Sequence, residues 1–215
     1  AIGDNALGAN TTASNNTAVG SSALLVNTTG TGNVAIGYQA LDANTTADYN
    51  SAIGQNALGV NTTGARNNSF GTGSMDANTT GSYNTAMGHD ALGGNTTADY
   101  NVAVGYQTLL ANTTGTENTA VGALALDANT TTSHNTALGY QALSANTAAS
   151  NTAVGRYALL TNSTGAENTA LGRDALRANT TASENTAVGF AALTANTTGT
   201  RNTAMGYAAH DACTI

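Results

Sequence analysis

The chain has 215 residues, with five arginines, no lysine, twelve acidic residues and a net charge of −7. A net-acidic chain without lysine is a poor partner for nucleic acid, because that binding depends on neutralising phosphates. The single cysteine, Cys213, excludes an internal disulfide scaffold and a metal site built from cysteines. Uninterrupted apolar runs are only a few residues long, so we expect no direct insertion of this segment into a membrane.

One five-residue motif recurs along the chain: Asn, a variable residue, a small residue, an apolar residue and Gly. The first complete copy is Asn-Thr-Ala-Val-Gly at 16–20 and the last is Asn-Thr-Ala-Met-Gly at 202–206. Successive copies are 17 residues apart, except that Asn135 and Asn151 are separated by 16. Such a period predicts a solenoid, in which each short unit stacks on the one before it.

Each unit contains two short apolar segments, and both end in a small residue followed by a large apolar one. In the first complete unit these pairs are Ala18-Val19 and Ala23-Leu24. Segments of this length suit strands rather than helices, which predicts two short strands per unit. Neighbouring side chains of a strand point to opposite faces. We therefore predict that the large apolar columns fill the interior and that the Ala columns form an outward stripe.

The sequence thus predicts an all-β fold, a parallel β-solenoid of about 12.5 coils of 17 residues, spanning 1–207. We expect residues 208–215 to form an atypical last coil, a cap or junction, because His210 replaces Leu and Cys213 replaces Asn in their columns. A long stripe of small residues favours close lateral association of chains, and we expect a homotrimer. The alternative is that the Ala columns simply face water.

Asn and Gly recur at fixed places in every unit. The Gly that ends each motif predicts a positive φ angle or a close approach of neighbouring backbones. Asn occupies two columns, the motif Asn and a second Asn that begins at Asn10, Asn27 and Asn44. Asn tolerates left-handed turn geometry. Stacked in register, its amides are expected to hydrogen-bond along the column as a ladder.

The motifs Asn-Thr-Ala-Val-Gly (16–20), Asn-Val-Ala-Ile-Gly (33–37) and Asn-Ser-Ala-Ile-Gly (50–54) resemble the head repeats of YadA-like trimeric autotransporter adhesins and related phage tail-fibre-like repeats. The resemblance covers about residues 1–212, although the 17-residue unit is longer than the head repeats usually seen. It implies a left-handed β-roll, three chains side by side, and display outside a cell or on a virion.

The residues that vary between copies indicate where binding occurs. Charged and aromatic residues fall at turns, and exposed tyrosine is common in recognition surfaces. We predict an extracellular structural and adhesive rod or fibre, on a cell or virion surface, whose partners are its own copies and a host or environmental surface, glycan or matrix protein. The candidate adhesive residues follow the motif Gly: Tyr38, Tyr106, Tyr140, Phe190 and Tyr207.

Two other functions fit the same sequence. Regular Thr ranks, such as Thr96, Thr113 and Thr130, favour an ice-binding β-solenoid. Alternatively, recurring glycosylation sequons and incomplete repeats at both ends favour a glycosylated extracellular filament subunit that polymerises end to end. The sequons begin at Asn10, Asn27, Asn44, Asn61, Asn78, Asn95, Asn112, Asn129, Asn162, Asn179 and Asn196.

The sequence offers no catalytic, cofactor-binding or metal-binding residues, so we predict that the chain is not an enzyme. Catalysis needs acids, bases or nucleophiles that converge in a cleft, whereas the charges here are scattered singly. His89, His134 and His210 fall in three different columns and do not stack into one metal cluster. The acidic residues do not recur in successive coils as a calcium-binding β-roll requires.

Overall fold

The computed structural model describes residues 1–211. They fall into two compact units, the first covering residues 1–107 and the second beginning at Thr108. Each unit is a stack of coils with one three-residue strand per coil, and no helix occurs within residues 1–211. The Cys213 position of the predicted cap or junction lies outside the described residues.

The first unit contains β1 (Thr17–Val19), β2 (Val34–Ile36), β3 (Ser51–Ile53), β4 (Asn68–Phe70), β5 (Thr85–Met87) and β6 (Val102–Val104). The second contains β7 (Thr119–Val121), β8 (Thr136–Leu138), β9 (Thr152–Val154), β10 (Thr169–Leu171), β11 (Thr186–Val188) and β12 (Thr203–Met205).

Within each unit the strands are parallel and follow one another in chain order. Ala35 lies opposite Ala18 on one side and Ala52 on the other. In the second unit, Ala170 is likewise flanked by the equivalent alanines of β9 and β11. Equivalent residues of successive repeats therefore form straight columns, and the predicted all-β parallel solenoid is confirmed.

The one 16-residue step is absorbed in a turn. Strands β8 and β9 still pair in register, with Thr136 opposite Thr152. Asn129 donates its side-chain amide to the carbonyl of Thr132, three residues on, at 3.0 Å. Asn146, its counterpart in the shortened repeat, reaches the carbonyl of Ala148, only two residues on, at 2.7 Å. The missing residue therefore shortens the turn and leaves the strand columns unchanged.

The prediction of two strands per coil is wrong. The segment around Leu24 forms turns, because Ser22 and Leu24 adopt φ angles of +58° and +51°, in the left-handed region. The segment nevertheless bonds to the next coil, since the Leu24 amide donates to the Ala40 carbonyl at 3.0 Å. The Leu column is buried as predicted, so the turns that carry these leucines contribute to the core.

The predicted inside and outside of the strand are reversed. Ala86 is fully buried, whereas Met87 beside it is 45% exposed, and the same contrast separates Ala35 from Ile36. The physical reason is the motif Asn, such as Asn33, which is buried and hydrogen-bonded inside. Strand alternation places the Ala two residues later on the same inner face and sends the larger apolar residue outward. The outward stripe is therefore aliphatic, and the expected exposed Ala stripe does not exist.

The motif Gly is required by the backbone, as the sequence predicted. Gly54 has a φ angle of +137°, which side-chain-bearing residues rarely adopt. A Cβ atom at this position would lie 2.5 Å from the carbonyl oxygen of Gly71 in the next coil. Both the dihedral angle and the close approach therefore exclude a side chain.

Candidate functional site

The two Asn columns are buried ladders. The side-chain amide of Asn44 donates to the side-chain oxygen of Asn27 at 2.9 Å and to the carbonyl of Ala47 at 3.1 Å. In the motif column, the backbone amide of Asn50 donates to the side-chain oxygen of Asn33 at 2.9 Å. These side chains satisfy buried backbone groups from coil to coil, which confirms the predicted ladder and assigns both columns to the fold.

The burial of these asparagines contradicts the predicted glycosylation sites. An N-linked glycan is attached to the side-chain nitrogen, and in Asn78 this atom donates to Asn61 at 2.8 Å inside the coil. Asn10 is half-buried, and its amide donates to the carbonyl of Ala13. Glycosylation is incompatible with this fold at the sequon residues that are 0% exposed: Asn27, Asn44, Asn61, Asn78, Asn95, Asn112, Asn129, Asn162, Asn179 and Asn196.

The first Thr after each buried turn Asn also serves the fold. The hydroxyl of Thr79 donates to the carbonyl of Thr96 at 3.0 Å, and Thr113 bonds Thr130 in the same way. The second Thr of each turn, such as Thr80, is exposed. The two Thr ranks therefore differ in chemistry, because hydroxyls of the first rank, such as those of Thr79 and Thr113, bond the next coil.

The five predicted adhesive residues share one column, the post-glycine column, which is the residue directly after each motif Gly. All are exposed, as expected for turn residues. Phe190 and Tyr207 stack with ring centroids 5.1 Å apart, and His89 stacks on Tyr106 at 5.8 Å. Rings in this column therefore rest on the equivalent side chain of the next coil.

A second exposed column directly precedes the motif Asn. In four successive coils of the first unit it holds Tyr49, Arg66, Tyr83 and Tyr100. The guanidinium of Arg66 lies 5.5 Å from the ring centroids of both Tyr49 and Tyr83. Its Nη1 donates to the Tyr83 hydroxyl at 3.1 Å. Tyr83 in turn stacks on Tyr100 at 5.0 Å. In this pre-asparagine column, exposed side chains of successive coils therefore stack on one another.

A third group, the arginine–aromatic cluster, lies in the second unit and consists of Arg156, Tyr157, Arg173, Asp174, Arg177 and Phe190. The Arg156 and Arg177 guanidinium groups lie over the Tyr157 ring, at 4.3 and 5.2 Å from its centroid. The Arg156 Nη2 donates to the Tyr157 hydroxyl at 3.0 Å. This hydrogen bond raises the pKa of Arg156.

The same cluster contains one buried carboxylate. Asp174 accepts a hydrogen bond from the Arg173 Nε at 2.9 Å, and its other oxygen lies 3.7 Å from Arg177. The side chains of Arg173 and Arg177 remain about half exposed. Arg173 also lies over the ring of Phe190, at 5.2 Å. Two guanidinium groups thus contact the one carboxylate, and with Arg156 the cluster has a local excess of positive charge.

Phe190 is a candidate binding residue on the sequence alone, whereas the arginine–aromatic cluster is not predicted from it. Arg156 and Arg173 follow the motif Gly in successive copies, which is a visible signal. Arg177 comes from the position after Leu, and Tyr157 stands one residue later than Tyr140 in its repeat. Only the turn geometry shows that these positions converge.

The first unit contains a polar recess of about 230 Å³, lined by Gln39, Asp42, Asn56, Gly59, Val60 and Asp76. Gly59 supplies no side chain in its column between Asp42 and Asp76, which opens the recess. Burial raises the pKa of both carboxyls, and the charge of Asp90 raises that of Asp76 further. No grouping of three or more metal-ligating side chains occurs within residues 1–211.

Comparison with protein-family models, curated proteins and solved structures finds no match for this chain. The resemblance to YadA-like head repeats therefore rests on the motif alone and stays a hypothesis. Residues 1–211 also contain no helix long and apolar enough to cross a membrane.

Proposed function

We propose that this chain is an extracellular structural and adhesive scaffold that presents variable side chains at its turns. The observation that carries this proposal is that the repeated columns serve the fold, whereas the exposed columns vary. Asn, Ala, Leu and Gly repeat because the interior and the tight turns need them. The exposed post-glycine and pre-asparagine columns change from coil to coil and hold most of the aromatic residues and arginines.

The stacked arrangement of these exposed side chains supports a binding role. Tyr83 is held between Arg66 and Tyr100, and Phe190 between Arg173 and Tyr207. A side chain that is ordered before binding loses less conformational entropy when a ligand arrives. Tyrosine and arginine are also enriched among the residues that dominate binding energy at interfaces.

We propose that lateral association between copies, a homotrimer as the resemblance implies, uses the outward aliphatic column. Ile36, Met87 and Leu171 are between 37% and 45% exposed on the outer strand face. An ordered row of apolar side chains on a surface is typical of a protein–protein interface. This column replaces the Ala stripe as the lateral surface.

Bead adhesion tests the proposed function. Beads carrying the full chain are expected to adhere to cell, glycan or matrix-protein surfaces. The double variant Tyr106→Ser/Tyr140→Ser should lower that adhesion by about tenfold, because exposed tyrosines act as binding anchors. The matched control, Thr80→Ser/Thr131→Ser, changes exposed turn residues of the repeating Thr rank and should adhere normally. Normal adhesion by the tyrosine variant, or none by the parent chain, would overturn the proposal.

One observation favours ice binding as a second candidate. In the second unit the outward residue at the start of each strand is Thr in six successive strands, from Thr119 to Thr203. An aliphatic residue lies two positions later in each strand, so hydroxyl and methyl groups form parallel rows with a strand spacing of about 4.8 Å. Thermal hysteresis that disappears in a Thr152→Tyr/Thr169→Tyr variant would support this function. Its absence in the parent chain would exclude it.

A further inference from the structure

The charges of the chain are unevenly distributed between the two units. Residues 1–107 contain six acidic residues and one arginine, whereas residues 108–215 contain six acidic residues and four arginines. Three of those four arginines belong to the arginine–aromatic cluster. The first unit carries Asp42, Asp76 and Asp90 in the columns where the cluster has Arg177 and Asp174. The cluster is therefore a basic patch on a chain that is otherwise acidic.

The cluster is organised for contact with anions. Arg156 hydrogen-bonds a phenol rather than a carboxylate, so its positive charge is not neutralised by that contact. Asp174 is only 8% exposed and holds Arg173 and Arg177 from the inner side. Arg173 is thereby held by a hydrogen bond and Arg177 by charge attraction, while both side chains stay about half exposed. A planar guanidinium matches a carboxylate with two parallel hydrogen bonds.

The spacing of the arginines suits a polymer with repeated acidic groups. Arg156 and Arg173 occupy the same column in adjacent coils, about 4.8 Å apart at the backbone. Tyr140 packs against Tyr157 at one end of the cluster, and Tyr207 stacks on Phe190 at the other. The row of cationic and phenolic groups therefore extends over several coils and offers hydrogen bonds along its length.

The aromatic residues argue against nucleic acid as the ligand. Binding of single strands uses open ring faces on which bases stack. Here guanidinium groups lie over the Tyr157 ring, and Phe190 packs against Arg173 and Tyr207. A neutral sugar that needs an open ring face is disfavoured for the same reason.

Two acidic residues that a second copy would offer, Asp42 and Asp90, are a poorer match than a free polymer. In the first unit, Asp90 is half-buried and contacts His89 at 3.0 Å. Gln107 also donates a side-chain hydrogen bond to Asp90, at 3.5 Å. Asp42 is half-buried at the edge of the polar recess. These carboxylates are set back in the surface, whereas the carboxylates of a polysaccharide are free to reach the guanidinium groups.

We propose that the arginine–aromatic cluster binds an acidic polysaccharide through the sugar carboxylates. This inference rests on the proposed adhesive function and names the class of ligand. Arg156 and Arg173 contact successive carboxylates, Arg177 extends the patch, and Asp174 positions Arg173 and Arg177 from below. Binding weakens with salt, because contacts with a polyanion release counterions.

The test measures binding of polygalacturonate to the full chain over about 50 to 200 mM salt. The variant Arg156→Gln/Arg173→Gln should bind about tenfold more weakly or worse, and the salt slope should fall by about one per arginine removed. The matched control is Arg66→Gln, which removes an arginine that also lies over tyrosine rings but outside the cluster. It should bind like the parent chain.

Several results would overturn the inference. One is that Arg66→Gln weakens binding of polygalacturonate as much as Arg156→Gln/Arg173→Gln does. Another is that neutral dextran binds as tightly as polygalacturonate. A third is that a single-stranded polynucleotide binds more tightly than polygalacturonate. A parent-chain oligomer that dissociates in Arg156→Gln/Arg173→Gln, without polygalacturonate binding, would make the cluster a contact between copies and would also overturn it. Bead adhesion that survives both excess polygalacturonate and the arginine substitutions would refute this ligand class while leaving the adhesive function intact. Absence of bead adhesion would instead refute the adhesive function, and the solution measurement would still decide the ligand.

Discussion

The side-chain amide of Asn44 donates a hydrogen bond to the side-chain oxygen of Asn27, the equivalent residue of the preceding coil, at 2.9 Å. Both side chains are fully buried, and each also bonds a backbone carbonyl of its own turn. An Asn at this place therefore connects successive coils and closes its own turn. This double use explains why the residue recurs in every unit.

Removing one ladder residue should destabilise the coils around it. Asn78 bonds Asn61 and Gly81 and accepts from Asn95, so Asn78→Ala leaves several buried groups without partners. We expect a loss of about 2–5 kcal/mol in the free energy of opening. Amide hydrogen exchange in these coils measures it. The exposed Thr80→Ala is the control, and equal effects of the two changes would contradict the structural role of the ladder.

The motif Gly should tolerate no side chain. Gly54→Ala places a Cβ 2.5 Å from the Gly71 carbonyl oxygen at a φ angle of +137°, so the coils must separate. Gly59→Ala meets its nearest atom at 3.3 Å. We expect Gly54→Ala to cost several times more stability than Gly59→Ala, measured by chemical denaturation. A cost for Gly54→Ala no larger than that for Gly59→Ala would show that the backbone approach is looser than described.

The inner and outer faces of the strand should respond differently to side-chain size. Ala86 is buried between coils, so Ala86→Leu should cost about 1–3 kcal/mol or prevent folding. Met87 faces outward, and Met87→Thr should change stability by about 0.5 kcal/mol or less in the monomer. Denaturation of the two variants in parallel provides the measurement. A larger loss of stability in Met87→Thr than in Ala86→Leu would instead support the interior aliphatic column that the sequence predicts.

Stability should depend on the ionisation of Asp76. Burial raises the pKa of this carboxyl, and the nearby charge of Asp90 raises it further. Because the folded-state pKa exceeds the unfolded value, ionisation opposes folding, and the penalty grows as pH rises above about 4. Asp76→Asn should therefore be more stable than the parent at pH 7 and equally stable well below pH 4.

The control for this charge effect is Glu167→Gln, which removes an exposed negative charge in the other unit. Thermal unfolding between about pH 3 and 7 covers the range in which Asp76 titrates. A stabilisation by Asp76→Asn that is the same at both ends of the range would contradict the assignment to its charge.

The sequence predicts the fold class because the 17-residue period and the Gly and Asn columns require in-register stacking. It does not predict which face of the strand is buried, because a three-residue strand alternates equally well in either direction. Asn33 decides the matter, since its buried amide must share the inner face with Ala35. The sequence also does not predict the left-handed φ angle of Leu24, because leucine ordinarily avoids that region.

The candidate site was predicted only in part. The exposure of Tyr106 and Tyr140 follows from their place after a turn Gly, and the structure confirms it. The arginine–aromatic cluster could not be predicted, because Arg156, Arg173 and Arg177 look like single solvated charges in the sequence. Their convergence on Tyr157 and Asp174 depends on turn geometry that no local pattern specifies.

We expect the repeating columns to build the fold and the variable exposed columns to bind. Bead adhesion of a single variant tests this when amide hydrogen exchange is measured on the same sample. The variant replaces the exposed rings of the post-glycine column by Ser: Tyr38, Tyr106, Tyr140, Phe190 and Tyr207. We expect this variant to keep the amide protection of the parent chain and to lose adhesion. Full adhesion by this variant, with its protection intact, would contradict it.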